Sequence, residues 1–181
     1  MKRIATAVCL MILLPVIVLR AQAPEETPAE LAIWVGNWEM VGTAKDTPTE
    51  PEYKADWHLH GRLILGGHFV QIDQIWKGNG AESHWLEILS YDPIKGTFVS
   101  SGFTDDGGGW LSTLPFNSKD RTFVETGTIT TADGKSTKLH ITWIFSDDRM
   151  AVSGIQELEK DGVRWTSFTF KGTKAKTSVK N

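Results

Sequence analysis

The segment HLHGRLILGGHFVQ, residues 58–71, holds three of the chain's five histidines. His58 and His60 are two apart, and on an extended strand alternate side chains share a face. Two imidazoles on one face, joined by a third histidine or a carboxylate from a neighbouring strand, can hold zinc or another divalent cation. His84, His140 and Glu87 are the candidates for that third position. The flanking residues favour another role. The histidine face also carries Lys54, Asp56 and Arg62, whereas the opposite face carries Tyr53, Ala55, Trp57 and Leu59. That alternation turns Trp57 inward and the histidines to water. A metal site at His58, His60 and His84 is therefore the minority reading, and Gly66-Gly67 reads as a turn between two strands.

Other chemistry-bearing residues are scattered. The chain has eight tryptophans, six of them between Trp57 and Trp165. Core packing accounts for most; the functional alternative is a pocket for a flat or apolar ligand. Trp57, Trp85 and Trp143 are the candidate walls, with Glu87 as a polar anchor. Glu39, Glu87, Glu125 and Glu157 are the acid–base candidates, but nothing in the sequence pairs one with a nucleophile. The run Asp105-Asp106-Gly107-Gly108-Gly109 lacks the spaced carboxylates of a calcium loop and reads as a mobile turn able to gate a barrel mouth. No G-x-S-x-G, H-E-x-x-H or phosphate-loop motif occurs.

The ends of the chain speak to location. Lys2 and Arg3 precede an uncharged apolar run, Ile4 to Leu19, and small residues Ala21-Gln22-Ala23 follow. This is the layout of a secretory signal peptide, expected to end at residue 21. The run is short for a membrane span. Cys9, the single cysteine, lies inside it, so the mature chain builds no disulfide and offers no thiolate chemistry. An exported protein, periplasmic or secreted, is expected, with no membrane span in its mature form. Removing Lys2, Arg3 and Arg20 takes the formal charge from −3 to −6. No basic stripe precedes the C-terminal tail, so nucleic acid is not an expected partner. Residues 22–29 read as a flexible leader and 172–181 as a disordered basic tail, leaving 30–171 as one domain.

Within that domain the hydrophobic pattern has period two, broken by dense turn signals. The spacing predicts an all-β fold, an antiparallel up-and-down barrel of about ten strands. The strands fall at 36–44, 53–64, 68–76, 81–91, 97–104, 109–115, 121–131, 136–146, 149–158 and 163–171, after one short helix around Ala29 to Trp34. Two turns set registers. Asn79-Gly80 as a two-residue turn pairs Gln74 with Trp85, Ile72 with Glu87 and Val70 with Leu89, and leaves neither face cleanly apolar. An interior that admits polar groups would look like this. Asp133-Gly134, treated the same way, pairs Val124 with Trp143, Thr126 with Ile141 and Thr128 with Leu139 on an inner face, and puts Glu125, Gly127 and His140 outside.

Gly36-Asn37-Trp38, just after the short helix, resembles the Gly-x-Trp opening of calycin barrels, which include lipocalins and fatty-acid-binding proteins. Leu65-Gly66-Gly67-His68-Phe69-Val70 resembles the LGGRFL element of the bacterial family catalogued as domain of unknown function 1579. Leu89-Ser90-Tyr91-Asp92 with Lys95-Gly96 resembles that family's LGYD hairpin. Order and spacing agree over about residues 30–171. The resemblance implies a calycin-like barrel and no particular activity. His68 stands where the family usually has arginine, so His68 is a candidate ligand contact. By analogy with lipocalins, Trp38 would close one barrel end against a basic residue of the last strand, Arg164 or Lys171, with Arg164 preferred. The haem-binding nitrobindins are also ten-stranded barrels with a Gly-x-Trp start, but this chain lacks their fuller glycine-rich opening, and no cofactor is expected.

Three functional readings follow. The first is a non-enzymatic barrel binding a small apolar or amphipathic molecule. The second is an enzyme with a polar, metal-assisted lumen. The third is an envelope interaction protein whose barrel is filled. The sequence leans away from an enzyme and is silent on oligomeric state.

Overall fold

The computed structural model describes residues 28–175. A short 3-10 helix, Leu31–Trp34, leads into β1 (Gly36–Ala44) and β2 (Tyr53–Ile64). A second 3-10 turn, Leu65–Gly67, joins β2 to β3 (Phe69–Gly78). Then come β4 (Ala81–Asp92), β5 (Thr97–Thr104), β6 (Gly109–Leu114), the two-residue β7 (Phe116–Asn117), β8 (Thr122–Thr130), β9 (Ser136–Phe145), β10 (Ala151–Lys160) and β11 (Val163–Lys174). Each long strand pairs antiparallel with its sequence neighbour; β1 also pairs with β11, and β6 with β8. Apart from β7, which only extends β8, ten strands thus close an up-and-down barrel without a free edge. β11 runs to Lys174, so residues 172–174, expected in a loose tail, are strand. The expected signal peptide lies outside the described residues. Among them, no helix is long and apolar enough to cross a membrane.

Period-two burial runs through the strands as their sequence dictates. In β2, Ala55, Trp57, Leu59 and Gly61 face the lumen, while Lys54, Asp56, His58, His60 and Arg62 face out. The Asn79-Gly80 turn, with φ of 51° and 74°, is the tight hairpin its sequence predicts, and Gln74 does pair with Trp85, Ile72 with Glu87 and Val70 with Leu89.

The β8–β9 hairpin departs from its expected register by one residue. Thr131 N–H donates to the Lys135 carbonyl at 2.9 Å and Gly134 N–H to the Thr131 carbonyl at 2.8 Å, with Gly134 at φ 80°. The loop therefore holds three residues, Ala132-Asp133-Gly134, closed by a glycine in the left-handed region. Phe123 rather than Val124 faces Trp143, and Glu125 rather than Thr126 faces Ile141. A one-residue slip exchanges the two faces of a strand. Phe123 and Glu125 are inside, and Val124, Thr126 and Thr128 point outward. Trp143 inside and His140 on the outer face stand as expected.

The two ends of the barrel differ. The 3-10 helix plugs one of them with Leu31, Ile33 and Trp34. The Trp34 ring lies 5.0 Å from Trp143, 5.2 Å from Phe145 and 5.7 Å from Phe123. Gly61 is required here, because a Cβ would sit 1.9 Å from the Trp34 carbonyl oxygen. Trp38 is fully buried beside the plug, and Lys174 Nζ sits 5.1 Å over its ring. Burial, helped by Arg149, holds the Lys174 ammonium below the ordinary lysine pKa. The basic residue that covers Trp38 is thus Lys174; Arg164 instead pairs with Glu157 at 2.5 Å on the outer wall. The indole N–H groups of Trp34 and Trp38 are buried without an acceptor.

Candidate functional site

At the opposite end, toward the turns at 79–80, 105–108, 131–135 and 161–162, the lumen is hollow. A cavity of about 110 Å³ is lined there by Trp57, Trp85, Trp110 and Trp143, with Glu87 and Glu125 among them. Gln74, Gln156, Thr104, Ile129, Leu139 and Ile141 complete its wall. The strands deliver these residues in alternation: Trp57 from β2, Gln74 from β3, Trp85 and Glu87 from β4, Trp110 from β6, Glu125 from β8 and Trp143 from β9. At Gly102, a Cβ would fall 2.0 Å from the Trp110 ring, so the missing side chain is what lets that indole lie against β5.

The polar groups form a directed chain. Trp57 Nε1–H donates to Gln74 Oε1 at 2.9 Å, which fixes the amide so that Gln74 Nε2 donates to Glu87 Oε2 at 2.6 Å. Trp110 Nε1–H donates to Ser100 Oγ at 3.0 Å, so the Ser100 hydroxyl is free to donate onward to Glu87 Oε1 at 2.6 Å. An indole N–H can only donate, which sets the polarity of the Gln74 arm, while Ser100 keeps a second lone pair and can also accept. Glu125 is treated alike: Ser112 Oγ donates to Oε1 at 2.6 Å and Trp143 Nε1 to Oε2 at 3.2 Å. All four carboxyl oxygens accept one hydrogen bond from the barrel wall. Gln74, Ser100 and Glu125 are 2%, 1% and 3% exposed.

Burial pushes the Glu87 carboxyl up to about 8, with the nearby Glu125 charge adding to the effect and the Ser100 and Gln74 hydrogen bonds opposing it. Burial also raises Glu125, against the pull of Ser112 and Trp143. No Lys, Arg or His lines the cavity. The site can hold a proton near neutral pH, accept hydrogen bonds from a bound group, or face a positive charge.

The structure brings four of the sequence-derived residues, Trp57, Trp85, Trp143 and Glu87, into this one cavity. It does not bring His68, which follows the Leu65–Gly67 turn at the plugged end. His58, His60 and His84 are exposed on the outer wall. His60 Nδ1 lies 2.6 Å from Asn37 Oδ1, and His84 Nε2 lies 3.0 Å from Glu82. Among the described residues, no three His, Cys, Asp or Glu side chains come together as a cation site. Glu157 is bound to Arg164 and Glu39 is on the outer face, so of the four acid–base candidates only Glu87 and Glu125 share the lumen. The Asp105–Gly109 turn is tied to β4 at the cavity mouth: Asp105 N–H donates to the His84 carbonyl at 3.0 Å, and His84 N–H to Asp105 Oδ2 at 2.9 Å. Sequence reasoning missed Gln74, Ser100, Trp110 and Ser112. Gly102 inside a strand pattern is the one local signal that pointed to Trp110, since a strand glycine marks close approach of another group.

A closed ten-stranded antiparallel barrel, plugged at one end and hollow at the other, is a calycin-like architecture. Residues 23–172 match the family described as "Protein of unknown function (DUF1579)", and the chain belongs to that family. No curated protein matches it. Its fold is similar to that in a crystal structure of Rv2717c from M. tuberculosis, with a TM-score of 0.62 and 15% identity over 81% of this chain and 96% of that one. At that identity the likeness concerns the fold.

Proposed function

We propose that this protein is a small-molecule-binding barrel that seats one end of an amphipathic ligand in the hollow half of its lumen. The observation that carries the reading is the directed hydrogen-bond chain from Trp57 and Trp110 onto Glu87. Taking Glu125 fully and Glu87 largely out of water costs stability even with each oxygen hydrogen-bonded. Here they stand at the edge of a space rather than in a packed core. The tryptophans offer apolar faces, and each carboxyl oxygen keeps a lone pair for a ligand. A cavity of roughly 150 Å³ accepts benzene, so 110 Å³ encloses a smaller group. The remainder of a larger ligand would pass out by Thr104 and Ile129. A macrocycle does not fit, and no lining residue is of the His, Cys, Met or Tyr type that holds haem iron. With the basic and apolar start of the chain, the same reading makes it an exported carrier or sensor, periplasmic or secreted.

The second reading, an enzyme, draws on one specific feature: a carboxyl tuned near neutral pH in an apolar pocket can act as a general acid or base. The lumen pair, and not the outer histidines, would then do the chemistry.

Native mass spectrometry of protein taken from its own exported fraction tests the proposal. A one-to-one organic adduct that is lost in Glu87→Gln and kept in His60→Ala is the expected result. A clean mass, together with no response to any added small molecule, would refute it and favour an interaction protein.

A further inference from the structure

We propose that the group seated in the lumen cavity is a small organic cation, an alkylammonium or quaternary ammonium head. This rests on the reading of the cavity as a ligand seat and adds the sign of the ligand's charge.

The first ground is an unmatched charge. Glu87 and Glu125 share one cavity, and no basic residue from β2, β3, β4, β5, β6, β8, β9 or β10 lines it. Every ion pair of the described residues lies elsewhere, and none uses either glutamate. Other acidic groups without an ion pair, such as Glu39 and Asp56, are exposed to water, which screens their charge; the two cavity carboxyls are largely cut off from it.

The second ground is hydrogen-bond polarity. The Trp57–Gln74 and Trp110–Ser100 arms both end as donors to Glu87. The ionised carboxylate accepts from both arms; the neutral acid keeps the Gln74 bond and turns the Ser100 hydroxyl round, whose second lone pair then accepts the acid's hydrogen. The wall thus serves both forms, and a cation entering the space tips the balance to the anion.

The third ground is the shape and chemistry of the walls. Trp57 and Trp85 are inclined at 67°, Trp85 and Trp110 at 74°, and Trp57 and Trp143 at 43°. Indoles set at such angles around a common space form the cage that suits an alkylated ammonium. Scaling from the benzene-sized cavity, the space encloses about four or five non-hydrogen atoms. A trimethylammonium group is of that size. A bare metal ion suits the site poorly, because hard cations want six or more oxygen ligands, and tryptophan supplies none.

Binding such a cation favours the ionised form of Glu87, so a proton leaves as the ligand enters. Only Glu87 and Glu125 titrate in the cavity wall. Affinity for a quaternary ammonium, which has no proton of its own, should therefore rise with pH up to the Glu87 pKa and level off above it.

The test compares choline with 3,3-dimethyl-1-butanol, its uncharged carbon isostere, by titration of the full mature protein, followed by tryptophan fluorescence and calorimetry. Propylammonium is run in parallel to separate a primary from a quaternary head. The expected result is binding of choline or propylammonium at least about tenfold tighter than the isostere. For choline, affinity should gain up to about tenfold per pH unit between about pH 6 and 8. Glu87→Gln should remove both the preference and the pH dependence, and Glu125→Gln serves the same purpose if the first variant does not fold. Equal or tighter binding of the isostere overturns the cation assignment while leaving the ligand seat intact. Failure of all three probes to bind overturns the assignment and counts against the seat as well.

Discussion

Replacing Glu87 with glutamine should change how stability depends on pH. In the folded barrel burial holds the Glu87 carboxyl up at about 8, against an ordinary value of 4.5. Between those values the native protein holds a proton that the unfolded chain has released. Stability is therefore present in full below pH 4.5 and is lost as pH rises through 8. Each pH unit in that window costs about 1.4 kcal/mol, and the whole window ~5 kcal/mol. That is a large fraction of the stability of an ordinary domain. Glu125, also raised by burial, acts in the same direction and is present in both proteins. Glu82, Asp92, Asp106, Asp133, Asp148 and Glu159 are held low by their hydrogen-bond partners, so their contribution is lost only as pH falls through the acidic range. The introduced amide can accept from Gln74 but must then donate to Ser100, whose hydroxyl has to turn away, which adds a pH-independent penalty of about 0.5–1.5 kcal/mol. The Glu87→Gln variant should thus start less stable at about pH 5, lose less per unit, and cross the parent at higher pH. Urea unfolding at about pH 5, 6, 7 and 8, followed by tryptophan fluorescence without added ligand, measures this. Parallel pH curves for the two proteins would show that Glu87 is not titrating from a buried state, and would remove the basis for the proton linkage.

Three further substitutions address the frame around the site. Gly102→Ala drives a methyl into the Trp110 ring and breaks its bond to Ser100; a loss of about 1–3 kcal/mol in thermal or urea melts, with altered near-ultraviolet dichroism, is expected. Trp34→Ala empties the plug and should cost about 3–5 kcal/mol, whereas Trp34→Phe should cost much less because the indole N–H it removes has no acceptor; equal losses would contradict that account. The exposed pair His58→Ala and His60→Ala should shift stability by no more than about 0.5 kcal/mol each and leave any ligand response unchanged; loss of that response would revive the outer-wall histidines as a site.

Much of the barrel was legible because period-two patterning and turn chemistry are local. β1, β2 and β5 fall at the residues their patterns predict, and Asn79-Gly80 led to the correct pairing of β3 with β4. That pairing also put Gln74 and Glu87 on a face with Trp85, the first sign of a polar lumen. Asp133-Gly134 misled because a third loop residue, Ala132, is not distinguishable by type from a strand end. The misreading was then reinforced by the rule that apolar faces turn inward. Val124, Thr126 and Thr128 look like an inner face beside Phe123, Glu125 and Gly127 only while Glu125 is assumed to need water. Its partners, Ser112 and Trp143, come from neighbouring strands 13 and 18 residues away. Lys174 escaped notice for a related reason. It sits in a polar, basic stretch that reads as tail, and only its pairing opposite Trp38 shows that β11 continues that far.

The two ends of the barrel make different demands, and the contrast bears on function. At the plugged end, Trp34, Trp38, Phe123 and Phe145 interlock edge-to-face, and the side-chain groups left unpaired there are two indole N–H groups, a small cost for dense packing. The hollow end has the same strands and a similar supply of aromatic residues, so apolar packing could have filled it. Instead three of its indoles commit their N–H to orienting Gln74, Ser100 and Glu125. Filling the space with Leu or Phe in place of Glu87 and Glu125 would, on general grounds, leave the fold as stable or more so. A local choice that opposes stability while the rest of the chain agrees with the fold is where a functional demand is expected. A ligand that brings a positive charge into the space would recover the cost, which ties stability, pH and occupancy of this barrel to the same two carboxyls.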